Sequence, residues 1–159
     1  MPKSVKPIPS DQGQITPMLV VNGAAKAIEF YTRVFGATVS MRIDDPGGKV
    51  GHADLVIGKA HFMLSDEYPE MDAQGPQVFG GSPVAIHLYV EDVDDVVTRA
   101  VLEGAKLSRP VEDQFYGDRS GKITDPFGHT WWIASRKEIL SAEEVKQRAA
   151  EMYEEQPAS

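Results

Sequence analysis

Two histidines, two adjacent tryptophans and a few methionines and tyrosines carry the chemistry open to this chain, which has no cysteine. His52 and His87 are the sharpest candidates for a catalytic role. An imidazole changes charge near neutral pH, so it can hold an anion or move a proton. Asp54 stands two residues after His52, and residues two apart on a strand share a face. A structural reading stands beside the functional one: each histidine is half-buried and satisfied by a neighbour such as Asp54 or Ser65. Met18, Met63, Tyr89 and Trp132 alternate with apolar strand residues, which leaves them on the opposite face as an adaptable lining for a ligand; core packing is the competing account. Tyr116 and Arg119 lie in a Gln-Phe-Tyr-Gly-Asp-Arg stretch and suit a planar or anionic ligand, unless Arg119 pairs with Asp118 or Asp113. His129 follows a Pro-Phe-Gly turn and reads as turn chemistry.

The missing cysteines exclude disulfides, zinc–thiolate sites and thiol nucleophiles. No Ser/His/Asp order, P-loop or G-x-G-x-x-G motif is present, and Gly80-Gly81 belong to a linker rather than a phosphate cradle. The 159 residues are 42% hydrophobic and 25% charged, a globular balance. A formal charge of -8 repels phosphate backbones and anionic lipid, so neither nucleic acid nor a membrane surface is an expected partner. No apolar run reaches transmembrane length, and the first residues lack the apolar stretch of a signal peptide. A cytoplasmic location is the expectation.

These candidates need elements to position them. Residues 15–21 form an apolar run ending at Asn22-Gly23, a strand and its turn. Residues 24–35 place Ala27, Ile28, Tyr31 and Phe35 on one helical face, with Gly36 as the cap. Strands follow at 37–43, where Val39, Met41 and Ile43 alternate with Ser40 and Arg42, then at 50–57 and 60–65 around Gly58-Lys59. The pattern restarts with a strand at 84–90, a helix at 93–103 capped by Gly104, and strands at 107–111, 119–125 and 129–134. Ser141 and Glu144 form a capping box for a last helix at 142–153. The spacing predicts a flexible arm at 1–13, modules at 14–66 and 84–137, a linker at 67–83, and a C-terminal helix and tail at 138–159. Leu19-Val20-Val21 matches Leu88-Tyr89-Val90 at an offset of 69 positions, and Gly36-Ala37 matches Gly104-Ala105 at 68. The chain therefore reads as an α+β protein of tandem βαβββ repeats. Strict βα alternation, which Rossmann and TIM folds need, is absent.

The stretches Ala27-Ile28-Glu29-Phe30-Tyr31, Gly51-His52-Ala53, His87 to Asp94, Pro110 to Arg119 and Asp125-Pro126-Phe127-Gly128-His129 resemble the vicinal-oxygen-chelate superfamily (glyoxalase, bleomycin resistance, dioxygenase), and within it the PhnB-like branch. The resemblance covers roughly residues 15–137. It implies two curved half-barrel sheets with outer helices around a shared pocket, and a homodimer. Alternation then sends Phe62, Leu64, Ala53, Leu55, Ile57, Ile86, Leu88, Trp131 and Ile133 towards the helices. His52, Asp54, His61, Met63, Ser65, Ala85, His87, Tyr89, Thr130, Trp132 and Ala134 face inward. Metal-dependent relatives carry His, Gln or Glu at positions that correspond to Thr16, Met63, Ala85 and Trp132. None of these is a normal divalent-metal ligand, so no metal is expected, with a relocated site on His52, His87 and Asp54 as the alternative.

Three functions remain open at this point. The first is a metal-free pocket that binds a planar or amphipathic small molecule. The second is a lyase, transferase or dioxygenase that uses a metal or a histidine base. The third is an assembly or regulatory module. No nucleotide-methyl-donor motif supports a methyltransferase.

Overall fold

The structure, a computed structural model, describes residues 4–156. The described elements run β1 Met18–Val21, α1 Ala24–Phe35, β2 Thr38–Asp44, β3 Val50–Ile57, β4 Ala60–Asp66, β5 Ala85–Tyr89, α2 Val93–Leu102, β6 Lys106–Asp113, β7 Asp118–Thr124, β8 Thr130–Arg136 and α3 Ala142–Glu155. This is the expected βαβββ order, twice. The fold separates into two compact units, with the division between Ser82 and Pro83. Each unit holds one open four-stranded mixed sheet, in the orders β1-β4-β3-β2 and β5-β8-β7-β6. In both, the first strand runs parallel to the last and the other pairs are antiparallel.

In the first unit, α1 covers one face of its sheet. Its Tyr31 is fully buried and meets Phe62 of β4 edge to face at 5.5 Å, with Phe30 and Phe35 packed around it. Leu19, Val21, Ala53, Leu55 and Leu64 line the same side and are buried. Gly36 ends α1 in the left-handed conformation, as its position suggests. In the second unit, Val93, Val96, Val97 and Ala100 of α2 are buried, as are Leu88, Ile123, Trp131 and Ile133 on the sheet. The indole N–H of Trp131 donates to Asp125 at 2.9 Å. The other Asp125 oxygen accepts the backbone N–H groups of Phe127 and His129, so His129 sits in a side-chain-braced turn.

Several expectations need correction. β1 begins at Met18 rather than at residue 15, because Pro17 lacks an N–H for the ladder, although its carbonyl still accepts from Met63. Val39, Met41 and Ile43 do not share one face. A register shift sets Val39 opposite Leu55 but Met41 opposite Asp54, which divides them between the two faces, and all three are exposed on the edge strand. β6 is longer than predicted and keeps Pro110 within it, which an edge strand tolerates. Glu103 rather than Gly104 caps α2. The segment predicted as a linker carries two short 3-10 turns, Pro69–Met71 and Pro76–Phe79. It is tied down where the Tyr68 hydroxyl donates to Asp45 at 2.8 Å. The expected N-terminal arm and C-terminal tail lie partly outside the described residues.

One carboxylate joins three elements of the first unit. α1 starts at Gly23, which has no side chain with which to cap it. Asp66, at the end of β4, accepts the N–H groups of Gly23 and Ala24 on one oxygen at 3.1 and 2.9 Å, and that of Val50 at the start of β3 on the other at 2.8 Å. A negative charge at a helix N-terminus satisfies orphan donors and complements the helix dipole. Ser135, offset by the same 69 positions, repeats this in the second unit: its hydroxyl accepts from Val93 N–H at 3.0 Å and donates to the Val90 carbonyl at 2.7 Å. There α2 also has the side chain of Asp92 as its own cap.

Asp66→Ala leaves three backbone N–H groups without their acceptor and should cost about 2–4 kcal/mol, against about 1–2 kcal/mol for Ser135→Ala. Urea denaturation of both variants measures this, and an unchanged midpoint for Asp66→Ala would refute the keystone role.

Candidate functional site

The faces opposite the helices carry nearly all of the chemistry-bearing residues. In the first unit, register sets Met18 beside Met63, Met63 beside Asp54 and Asp54 beside Met41. This row of thioethers around one acid is adaptable and mostly apolar. Met18 is 60% exposed. His52 lies one step along, opposite Ile43, and its Nε2 is 2.9 Å from Asp54 Oδ1. The side chains of His52 and Asp54 are 26% and 17% exposed, so the pair reaches solvent without being bathed in it. Of the neighbours proposed for His52, Asp54 is the partner; the Ser65 hydroxyl turns to the Asp66 carbonyl instead.

In the second unit, one row runs His87–Trp132–Lys122–Arg109 across the four strands, and the next runs Tyr89–Ala134–Ser120–Glu112. Trp131 and Trp132 are split by strand parity. Trp131 is 1% exposed in the core, while Trp132 is half-buried on the opposite face. Lys122 Nζ lies 5.8 Å from the Trp132 ring centre, a cation–π arrangement. The His87 and Tyr89 rings meet edge to face at 4.7 Å. The Tyr89 hydroxyl donates to buried Asp118 at 2.6 Å, and the Arg136 guanidinium stands 5.9 Å from the Tyr89 ring. The hydrogen bond to the Asp118 carboxylate, reinforced by burial, raises the Tyr89 pKa above the ordinary phenol value.

Tyr116 lies in the turn between β6 and β7, and Arg119 near the start of β7. The Tyr116 hydroxyl is 3.5 Å from Ser120 Oγ. Arg119 forks onto Asp94 with bonds of 2.8 and 3.0 Å and adds Asp113 at 3.2 Å. Of the two partners expected for it, Asp113 is present, Asp118 is engaged by Tyr89, and Asp94 was not foreseen. The paired acids raise the Arg119 pKa, and Arg119 in turn lowers that of Asp94. A shallow groove of about 590 Å³ opens here, lined by Gln114, Gly117, Asp118, Arg119, Lys137 and Glu138 among others. Gly117 is required in it: its φ is +97°, and an added Cβ would stand 2.9 Å from the Glu138 carbonyl. Within the groove Asp113, Asp118, Arg119 and Glu138 each already have a side-chain partner in the protein.

Sequence reasoning missed Lys122 and Arg109. The signal was available for Lys122, because apolar Ile123 faces the helix and the residue before it must face away. Arg109 was hidden by register shifts on either side of it. Divalent metals need three or four converging nitrogen or oxygen donors. His52 and Asp54 supply two, and among the described residues no group of three or more His, Cys, Asp or Glu is placed to hold a metal ion. At the positions implied by the resemblance, Ala85 has no donor atom and Trp132 offers only an N–H, so the residues present do not fit a divalent metal. No described helix is long and apolar enough to cross a membrane.

A sequence model of the Glyoxalase/Bleomycin resistance protein/Dioxygenase superfamily matches residues 13–133. Protein Mb0911c of Mycobacterium bovis is 41% identical over 135 residues, covering 83% of this chain and 89% of that protein. The X-ray structure of the Arabidopsis thaliana At5g48480 product aligns with a TM-score of 0.62 at 29% identity, over 77% of this chain and 98% of that one. FosX of Listeria monocytogenes, a fosfomycin resistance protein solved with Mn(II) and sulfate, aligns with a TM-score of 0.62 at 16% identity, over 86% and 97% of the two chains. That last likeness is one of fold alone.

Because the Tyr89 pKa is raised in the folded state, its hydrogen bond to Asp118 stabilises the fold fully below the unfolded phenol value of about 10, and that contribution fades as pH rises through the folded value. Asp118→Asn should therefore move Tyr89 ionisation down towards the ordinary phenol range. An ultraviolet titration of phenolate formation, with Tyr89→Phe identifying the transition, reads the shift; an unmoved transition counts against the assignment.

Proposed function

The chain belongs to the glyoxalase/bleomycin resistance protein/dioxygenase superfamily, and from that premise we propose that it binds a planar or amphipathic small molecule without a divalent metal. The observation that carries this reading is Trp132, a large flat side chain half-buried on the face away from the helix. It stands where the resemblance sets a metal ligand in other members. An indole there offers a stacking plane, flanked by His87 and Lys122 in the same row. The first unit has a separate soft apolar surface of its own, made by Met18, Met63 and Met41. Within the superfamily we place the chain in the PhnB-like branch, on the strength of residues 110–119 and 125–129.

A screen of planar aromatic compounds by thermal shift, followed by titration of tryptophan fluorescence, tests the reading. Trp132→Ala should weaken the ligands found by about tenfold, the worth of an aromatic stacking contact, with little change in the unliganded melting temperature. Ligands that bind the variant undiminished would sink the proposal.

The His52–Asp54 pair supports a second reading, in which a histidine oriented by a carboxylate acts as a general base on a bound ligand. A ligand from the screen, incubated with the protein in heavy water, should then lose its acidic C–H signal in the proton NMR spectrum. His52→Gln should abolish that exchange, and no exchange with the unaltered protein removes this reading.

A further inference from the structure

We propose that the ligand face of the second unit selects a planar anion, an aromatic or conjugated carboxylate or a similar oxyanion, with Lys122 as its charge partner and Trp132 as its stacking plane. The proposal rests on the reading that this face binds a planar ligand, and adds the charge of that ligand. Lys122 and Arg109 are register partners on adjacent strands, so two cations stand side by side in the row that holds Trp132 and His87. The chain carries a formal charge of -8, yet among the described residues neither cation has a carboxylate partner. Three other arginines of this unit are matched with acids, Arg99 with Asp95, Arg119 with Asp94 and Asp113, and Arg148 with Glu138, while Arg136 lies against the Tyr89 ring.

The acids nearest in register do not compensate for them. Glu112 lies opposite Ser120, one row away, and Asp118 is held by the Tyr89 hydroxyl. The Trp132 indole can only donate a hydrogen bond. Three of the four residues in this row therefore present only donors or positive charge, and the fourth, His87, can do so when protonated. The Lys122 ammonium is already drawn to the indole, 5.8 Å from the ring centre. A flat ligand stacked on that indole would bring an oxyanion on its edge to Lys122, exchanging a weak cation–π contact for a charge-assisted hydrogen bond. The corresponding residue of the first unit is Asp54, which pairs with Met63 as Lys122 pairs with Trp132. Selection of an anion is thus a property of the second unit's face alone.

Calorimetric titration of the full chain with naphthoate, neutral naphthylmethanol and naphthylmethylammonium tests this. Naphthoate should bind at least about tenfold more tightly than naphthylmethanol. Lys122→Met should bring naphthoate down to the neutral value while leaving naphthylmethanol unchanged, and Lys122→Arg should keep the preference. Equal binding of the three probes, preference for the cation, or a preference that survives Lys122→Met would each overturn the anion proposal while leaving the planar-ligand reading in place. No binding by any of the three would overturn both.

Discussion

A helix laid on a sheet brings an electrostatic problem: its first N–H groups point into partly buried surroundings with no acceptor of their own. In the first unit the start of α1 is a glycine, so the acceptor must come from elsewhere in the chain, and Asp66 supplies it. The same carboxylate also takes the N–H of Val50, so that one side chain fixes the start of α1, the start of β3 and the end of β4 together. Met63, Asp54 and His52 lie on β3 and β4, two of the elements that this carboxylate joins. The second unit meets the same need with a neutral hydroxyl at the corresponding position, because Asp92 already caps α2. A charge is used where the helix has no cap of its own, and a hydroxyl where it has one.

The two sheet faces carry different residues on this repeated scaffold. The first is thioether-rich, with a histidine–carboxylate pair; the second is aromatic and cationic. Strand parity explains how a single sequence motif can serve both purposes. Trp131 and Trp132 are adjacent in sequence yet lie on opposite sides of β8, one buried in the core with a bond to Asp125 and the other half-buried on the face away from the helix. Among the described residues no group of three or more His, Cys, Asp or Glu is placed to hold a metal ion, and two of the positions that the resemblance implies hold Met63 and Trp132.

The fold was legible in the sequence to a high degree. Alternating apolar residues, the Gly58-Lys59 turn and the Gly36 cap mark out the elements, and the 69-position offset reveals the repeat. The inward assignment of His52, Asp54, Met63 and Trp132 also follows from parity, since a residue's face on a regular strand is set by its neighbours. Parity failed at the edge strands. The shift between Val39 and Met41, and those around Arg109, each break the count by one residue, and no local pattern announced them.

The sequence by itself determined the element order, the helix-facing core and the residue types available for binding, because these depend on near neighbours along the chain. Only the tertiary structure decided which charges are left over. Arg119 could have faced a ligand, but Asp94 reaches it from 25 residues away on α2 and satisfies it. Lys122 is nearly as polar on paper, yet the fold brings it beside Trp132 and not beside an acid. Pairing of charges depends on distances across strands and helices that are far apart in sequence. Local spacing carries no record of those distances, and so the placement of Lys122 beside Trp132 rather than beside an acid emerges only once the sheet is assembled.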